Sequence, residues 1–363
     1  MRQLIPIIAS LCLLALGCDP GDPADPAPAD VNVPESVSVP DAMNVPDSVP
    51  VSDAPAASDT EPPPGPPADP CPVPRGPCLP ILHLGVTIPF DAWGLPLEVG
   101  VGAGAEAPAP GAWTEAASVT LDSLGPQVLF ARVLGCDDGP AFSCVTEVRE
   151  TYPGAAGTPG SPAVAADDPG ISAWAASAVS YTPGEGVDAE WTDPQEAAGP
   201  AEGSATDILC LGRGGAVVLA FEAPIQDGPG PDLAVFENSF SDIFLELAFI
   251  EVSTDGETFA RFDAISLTPD PVAPYGTMDP ALVQGLAGTV GKGFGTPFDL
   301  ASLANHPAVL GGAVDLDAIH FVGVIDVVGD GGTADCLGNP IYDPYPTAGS
   351  AGFDLDAVAA LGG

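Results

Sequence analysis

The residues of this 363-residue chain with the most chemical potential are its carboxylates. Asp and Glu total 50 against 7 Lys and Arg, a formal net charge of −43. After Lys292 there is no further Lys or Arg, yet Asp299, Asp315, Asp317, Asp326, Asp330, Asp335, Asp343, Asp354 and Asp356 follow. Several interrupt apolar runs, as in Val324-Ile325-Asp326-Val327 and Phe353-Asp354-Leu355-Asp356. A carboxylate placed there must reach solvent, accept backbone hydrogen bonds or hold a cation. Calcium, which takes roughly six to eight oxygen ligands, suits Gly-rich acidic loops. The expected ligands are Asp232, Glu237 and Asn238, at the two ends of one strand-like segment, with Asp326, Asp354 and Asp356 from the C-terminal strands. A solvated acidic rim is the competing reading, and a magnesium or transition-metal site a third. The EF-hand spacing D-x-[DN]-x-[DN]-G is absent.

Catalytic signatures are sparse. G-x-S-x-G and H-E-x-x-H are missing, as are phosphate-loop and dinucleotide motifs. Gly212-Arg213-Gly214-Gly215 reads as a turn before a strand. His83, His306 and His320 are scattered and read as packed or hydrogen-bonded residues. Carboxylates are plentiful enough for a polysaccharide hydrolase or lyase working through an acid pair such as Glu237 and Asp326. Trp174, Trp191, Tyr181, Tyr275, Tyr342 and Tyr345 could stack on sugars. Tyr342 and Tyr345 are the expected ligand-binding pair, because Asn-Pro-Ile-Tyr-Asp-Pro-Tyr-Pro-Thr is a turn-rich loop.

The elements that must position these groups are strands. Segments 81–88, 117–121, 127–134 and 143–150 are short apolar runs separated by Gly, Pro and Asp, the pattern of a small β-sandwich over 71–152. A Gly/Pro/Ala joint follows. Over 153–363, runs at 174–181, 216–221, 232–237, 245–254, 257–266, 319–327 and 353–359 predict a larger jelly-roll-type sandwich. Asp255-Gly256 predicts a type I′ hairpin turn. Asp279-Pro280 and Thr296-Pro297 predict the starts of two short helices. The fold class is therefore all-β.

The N-terminus carries an address. Arg2 and an apolar run over 4–16 form a signal peptide over 1–17, too short to span a bilayer. Ala15-Leu16-Gly17-Cys18 resembles the lipobox of bacterial lipoproteins, which implies acylation of Cys18, membrane attachment through lipid and a place in the cell envelope, the outer membrane or cell surface above all. Residues 18–70 follow as a disordered acidic tether; positions 19–70 hold 15 Pro, 11 acids and no base. Six cysteines remain once Cys12 leaves with the signal and Cys18 carries lipid. An even number in an exported chain predicts disulfides, with Cys71–Cys78, Cys136–Cys144 and Cys210–Cys336 the expected pairs. Zinc is disfavoured because no C-x2-C pair exists. With so few cations, nucleic acid is excluded as a partner.

The later motifs carry a resemblance. GRGGAVVLAFEAPIQDGPGPDLAVFENSF, FLELAFIEVSTDGETFARF, GNPIYDPYPT and GFDLDAV resemble a family of exported bacterial cell-surface proteins with GPGxDxxVFEN, LELAxVEVSxDG and a terminal GFDLDAV strand. The resemblance spans about 160–363 and implies surface display without an assigned activity. The IEVSTDG hairpin is also similar to those of galactose-binding-like jelly rolls, which implies sugar binding and a structural calcium ion. Together these readings predict a lipid-anchored, non-catalytic surface binding module, calcium-stabilised, with a glycan or surface protein as partner. The alternatives are the carboxylate-pair enzyme and an envelope spacer or assembly protein.

Overall fold

The computed structural model describes residues 70–102, 112–203, 206–239 and 241–362, which fall in one compact unit. The signal peptide, Cys18 and the tether up to residue 69 lie outside the described residues. The architecture is all-β. Among the described residues no helix is long and apolar enough to cross a membrane.

The first sheet takes the order Ile81–His83, Phe142–Arg149, Gly125–Val133, Leu97–Gly102 and Thr114–Glu115, beside a two-stranded ribbon of Thr87–Pro89 with Ser118–Thr120. Strict alternation shapes it: Phe142, Cys144, Thr146 and Val148 point inward while Ser143 and Val145 face out. Its core, built on Leu82, Ile88, Phe90, Leu129 and Phe142, also takes in Ile265 from much later in the chain. Tyr152, just before the Gly/Pro joint, is buried here and donates its N–H to the Ala281 carbonyl at 3.2 Å.

Two antiparallel sheets form the larger sandwich. One runs Ser177–Thr182, Ala216–Ile225, Ile319–Asp326, Ala248–Ser253, Ala260–Arg261. The other runs Leu209–Cys210, Asp354–Leu361, Leu233–Glu237, Phe294–Phe298, Val164–Ala165, with Ile171–Trp174 also pairing the C-terminal strand. Val217, Leu219, Ile250, Val252, Val322 and Val324 of the first meet Leu233, Val235, Phe298, Leu355 and Val358 of the second in one core. The C-terminal strand is buried on both faces, because Ala357 and Ala359 pack outward under Val164, Phe236 and Trp174. That double burial explains its continuous apolar run.

Several local expectations change. The Asp255-Gly256 hairpin exists, but it connects Ser253 to Ala260 through a wider loop rather than a two-residue turn. Gly256 alone there has a positive φ, +78°, and the Asp255 carboxylate accepts the N–H groups of Glu257 and Thr258 instead. Asp279 does cap a short helix, the 3-10 turn Pro280–Leu282. Thr296-Pro297 does not. Both lie in the Phe294–Phe298 strand, where pairing to Val164–Ala165 stops at Gly295 and leaves no ladder bond for Pro297 to miss. The turn comes later, at Leu300–Leu303, capped by Asp299.

The cysteine pairing is also different. Disulfides join Cys71 to Cys136 and Cys78 to Cys144. Nearest-neighbour pairing fails because Cys144 lies opposite Leu129 in the ladder, well away from Cys136 past the strand end. The two bonds instead stitch the Pro-rich entry segment to the hairpin. Cys210 and Cys336 are free. Cys210 is buried in the large sandwich against Asp354, whereas Cys336 packs on the core of the first sheet.

Candidate functional site

The C-terminal strand lies between Leu209–Cys210 and Leu233–Glu237, and this register gathers part of the expected cation set. Cys210 pairs with Asp354, Glu237 with Leu355 across a bulge, and the Asn238 N–H donates to the Asp354 carbonyl at 2.9 Å. Glu237, Asn238 and Asp354 therefore meet at one end of the sandwich. Glu237 and Asn238 are 3% exposed, Ser239 2% and Asp354 1%. Glu237 Oε2, Asn238 Oδ1 and Asp354 Oδ1 are buried without a hydrogen-bond partner, and the buried Ser239 hydroxyl lies beside the Glu237 carboxyl. Native folds leave few such atoms.

The electrostatics match. Burial, then the Asp354 charge, holds the Glu237 carboxyl well above the usual range. Burial raises Asp354 too, against hydrogen bonds from Cys210 and Ser350. Glu246 joins them: its Oε1 accepts the Thr347 hydroxyl at 2.8 Å, and burial and Asp354 raise it. Asp343 is likewise raised, by burial and then Asp326. Burial raises Asp326 to about 7, the Asp354 charge adds to this and Arg213 moderates it, although that guanidinium also donates to the Thr347 carbonyl and pairs with Glu185 at 3.6 Å.

The other three expected ligands are held apart by the backbone. Asp232 accepts the N–H groups of Gly228 and Leu300, both at 2.8 Å. Asp326 accepts those of Gly214 and Phe353, both at 2.7 Å. Asp356 accepts those of Glu202 and Gly203 at 3.1 and 2.9 Å. The six-residue group is thus corrected: three carboxylates spend both oxygens on backbone N–H groups, while Glu237, Asn238 and Asp354 share one strand end, with Asp326 near enough to feel the Asp354 charge. Among the described residues, Asp227, Asp232 and Asp299 form the group of acids whose oxygens lie within 4.8 Å of one another. Sequence reasoning missed Ser239 and Glu246 as neighbours of the buried group. The acid amid apolar residues in Phe-Leu-Glu-Leu-Ala-Phe was the available signal for Glu246.

The aromatic loop residues are less open than expected. Tyr342 is half-buried, its ring lying over Gly331, whose φ of +80° and lack of Cβ admit it. Tyr345 is half-buried with the Arg213 guanidinium 5.9 Å from its ring centre. Trp174 packs on Phe236 at 5.2 Å, and the Tyr181 hydroxyl donates to the Cys210 carbonyl. Tyr275 is the open one. It is 62% exposed, holds a φ of +56° rare outside glycine, and stacks on Phe244 at 6.3 Å. Its hydroxyl lies 3.3 Å from both the N–H and the carbonyl of Ala348. A groove of about 430 Å³ adjoins it, lined in part by Pro271, Val272, Gly276, Thr277 and Met278.

Two of the three histidines serve structure. His306 Nδ1 accepts the Ala308 N–H at 3.2 Å and caps Pro307–Leu310, while burial lowers its pKa. His83 bonds its neighbour's carbonyl and meets Tyr152 edge-on.

No protein-family model and no curated protein matches the chain. Among solved structures, the chain is similar to a SusE-like protein at 10% identity and a TM-score of 0.23, over 80% of this chain and 96% of that one. It is also similar to a carbohydrate-binding module of the β-sandwich superfamily at 11% identity and a TM-score of 0.19, over 80% and 98% of the two chains. Scores this low carry no argument, and the all-β assignment rests on the strands themselves.

Proposed function

We propose that this chain is a lipid-anchored, cell-surface, non-catalytic binding module that holds a glycan at the edge carrying Tyr275. The lipobox-like segment at Ala15–Cys18 and the Pro-rich tether support anchoring and display. The observation that carries the binding reading is Tyr275 itself: an aromatic face turned to solvent, backed by Phe244, on a backbone conformation that costs energy to keep. Aromatic faces of this kind offer apolar contact beside a polar rim. Tyr345 and Arg213, which flank the loop that Tyr275 touches, supply that rim. The carboxylate-pair enzyme gains no support from its named residues, since Glu237 and Asp326 are 3% and 4% exposed and offer a polysaccharide no open face.

A glycan array probed with the purified protein tests the binding reading. Bound glycans are expected, with Tyr275→Ala weakening the best one about tenfold, the equivalent of about 1.4 kcal/mol. An array without hits overturns it. The anchor is tested separately: Cys18→Ala is expected to move the protein from the membrane to the soluble fraction, and unchanged fractionation overturns it.

A further inference from the structure

We propose that Glu237, Asn238, Ser239 and Asp354 form a calcium site enclosed at one end of the large sandwich. Glu237, Asn238 and Asp354 each present a buried oxygen that makes no hydrogen bond, Ser239 sets its buried hydroxyl beside the Glu237 carboxyl, and all four belong to two segments joined directly by the Asn238–Asp354 backbone bond. An orphaned buried oxygen is costly, and an orphaned buried carboxylate oxygen more so. Such oxygens on two bonded segments, with Glu237 near enough to feel the Asp354 charge, are unspent donors that one cation would use.

The donor set selects the ion. Two carboxylates, an amide oxygen and a hydroxyl are hard oxygen donors, and the two carboxylates balance a divalent charge. Magnesium keeps several waters and demands tight octahedral geometry, which residues only 1–3% exposed do not favour. The Cys210 thiol beside Asp354 is no soft-metal invitation, because burial and Asp354 keep it protonated, as a hydrogen-bond partner of that carboxylate. The Glu246 carboxylate lies near enough to feel the charges of both Asp354 and Glu237, and its Oε1 already accepts the Thr347 hydroxyl. The Asp227, Asp232 and Asp299 group makes the contrast. Asp232 already spends both oxygens on backbone N–H groups, and Asp299 caps a turn through the Ala301 N–H, so that group has an occupation without a metal.

This inference is independent of the glycan reading and is tested without any sugar. Purified protein is stripped with EDTA and melted with and without millimolar calcium or magnesium. Calcium is expected to raise Tm by at least about 3 °C, and magnesium by less than half as much. Equilibrium dialysis with calcium is expected to find one ion per chain, abolished by Glu237→Gln and Asp354→Asn and retained by Asp232→Asn. Ser239→Ala, which removes one neutral ligand and no charge, is expected to weaken uptake about tenfold while the protein still folds. A stripped protein that melts identically in calcium and retains none overturns the site. So does calcium uptake that survives Glu237→Gln and Ser239→Ala but is lost in Asp232→Asn.

Discussion

The first sheet and the large sandwich meet the same shortage of bases in different ways. In the first sheet, covalent bonds hold the loops and arginines answer the acids: Cys71–Cys136 and Cys78–Cys144 close the entry segment, while Arg132 bridges Glu98 and Asp137. In the sandwich no cysteine is bonded, and buried Asp232, Asp326, Asp335 and Asp343 are answered by backbone N–H groups. Among the described residues, Glu237 Oε2 and Asp354 Oδ1 are the buried carboxylate oxygens left without a partner. The contrast teaches that acid content alone does not mark an ion site. What marks it is the acid that the fold has failed to satisfy by other means.

The largest effect should come from the covalent side. Each disulfide spans 65 or 66 residues, and loop-closure entropy over that length corresponds to about 4 kcal/mol. Replacing Cys78 and Cys144 together by Ala is expected to lower stability by about 3–4 kcal/mol in urea unfolding, with the loss centred on the first sheet. Cys210→Ala, by contrast, removes a thiol and no cross-link, and a cost as large as the disulfide's would break the comparison. Next comes a backbone-tying acid. Asp232→Ala strands the N–H groups of Gly228 and Leu300 in a buried place, at a cost of about 2–4 kcal/mol. The same experiment read against Glu237→Gln sharpens the difference, because the amide removes a buried charge and should stabilise the calcium-free protein rather than weaken it.

These contrasts also show what could be read before any coordinates. Strand positions were legible because alternation in Phe142–Arg149 and the apolar runs at 216–221 and 319–327 report burial directly. For Glu237 and Asp354 the legible part was narrower: an acid within an apolar strand needs something specific to answer it. Asp232, Asp326 and Asp356 looked the same in sequence and proved different, because their rescuers are N–H groups of Gly214, Gly228 and Gly203, among others, and every residue but proline has one. A donor common to all positions leaves no compositional trace. The disulfides were misread for a related reason: ladder register puts Cys144 opposite Leu129, and register is set by pairing across the sheet, not by spacing along the chain.

Asp263 sits on the line between the two regions and supplies a pH test. Its Oδ2 accepts the Cys78 N–H at 2.9 Å, and burial pushes its pKa up to about 6 from 3.8. A carboxyl raised on folding binds its proton more tightly in the native state. The associated stability is therefore complete below about pH 4 and is lost as pH rises through about 6. Asp263→Asn keeps an acceptor for Cys78 and has no proton to lose. The variant should gain on the wild type by about 2–3 kcal/mol between pH 4 and pH 7.5, read as the difference between paired urea curves. Parallel curves across that range would mean that the seam between the regions carries no charge penalty.

The smallest effect belongs to the surface side of the first sheet. Arg132 lies opposite Glu98 in the ladder, contacts its carboxylate at 2.8 Å, reaches Asp137 at 2.7 Å and covers the Trp113 ring at 4.3 Å. The Asp137 side chain is 76% exposed, so that contact is screened and contributes little, whereas Glu98 at 19% and the ring stacking are the parts that count. Arg132→Ala is expected to cost about 1–2 kcal/mol, and Arg132→Lys about half of that because the planar fork and stack are lost while the charge stays. Raising salt to molar levels should shrink the Ala penalty by less than half, since the stacking and the buried stem do not depend on ionic strength. If salt abolished the penalty entirely, arginine would be acting in the first sheet as a loose surface charge, and the contrast with the backbone-satisfied acids of the sandwich would rest on the disulfides alone.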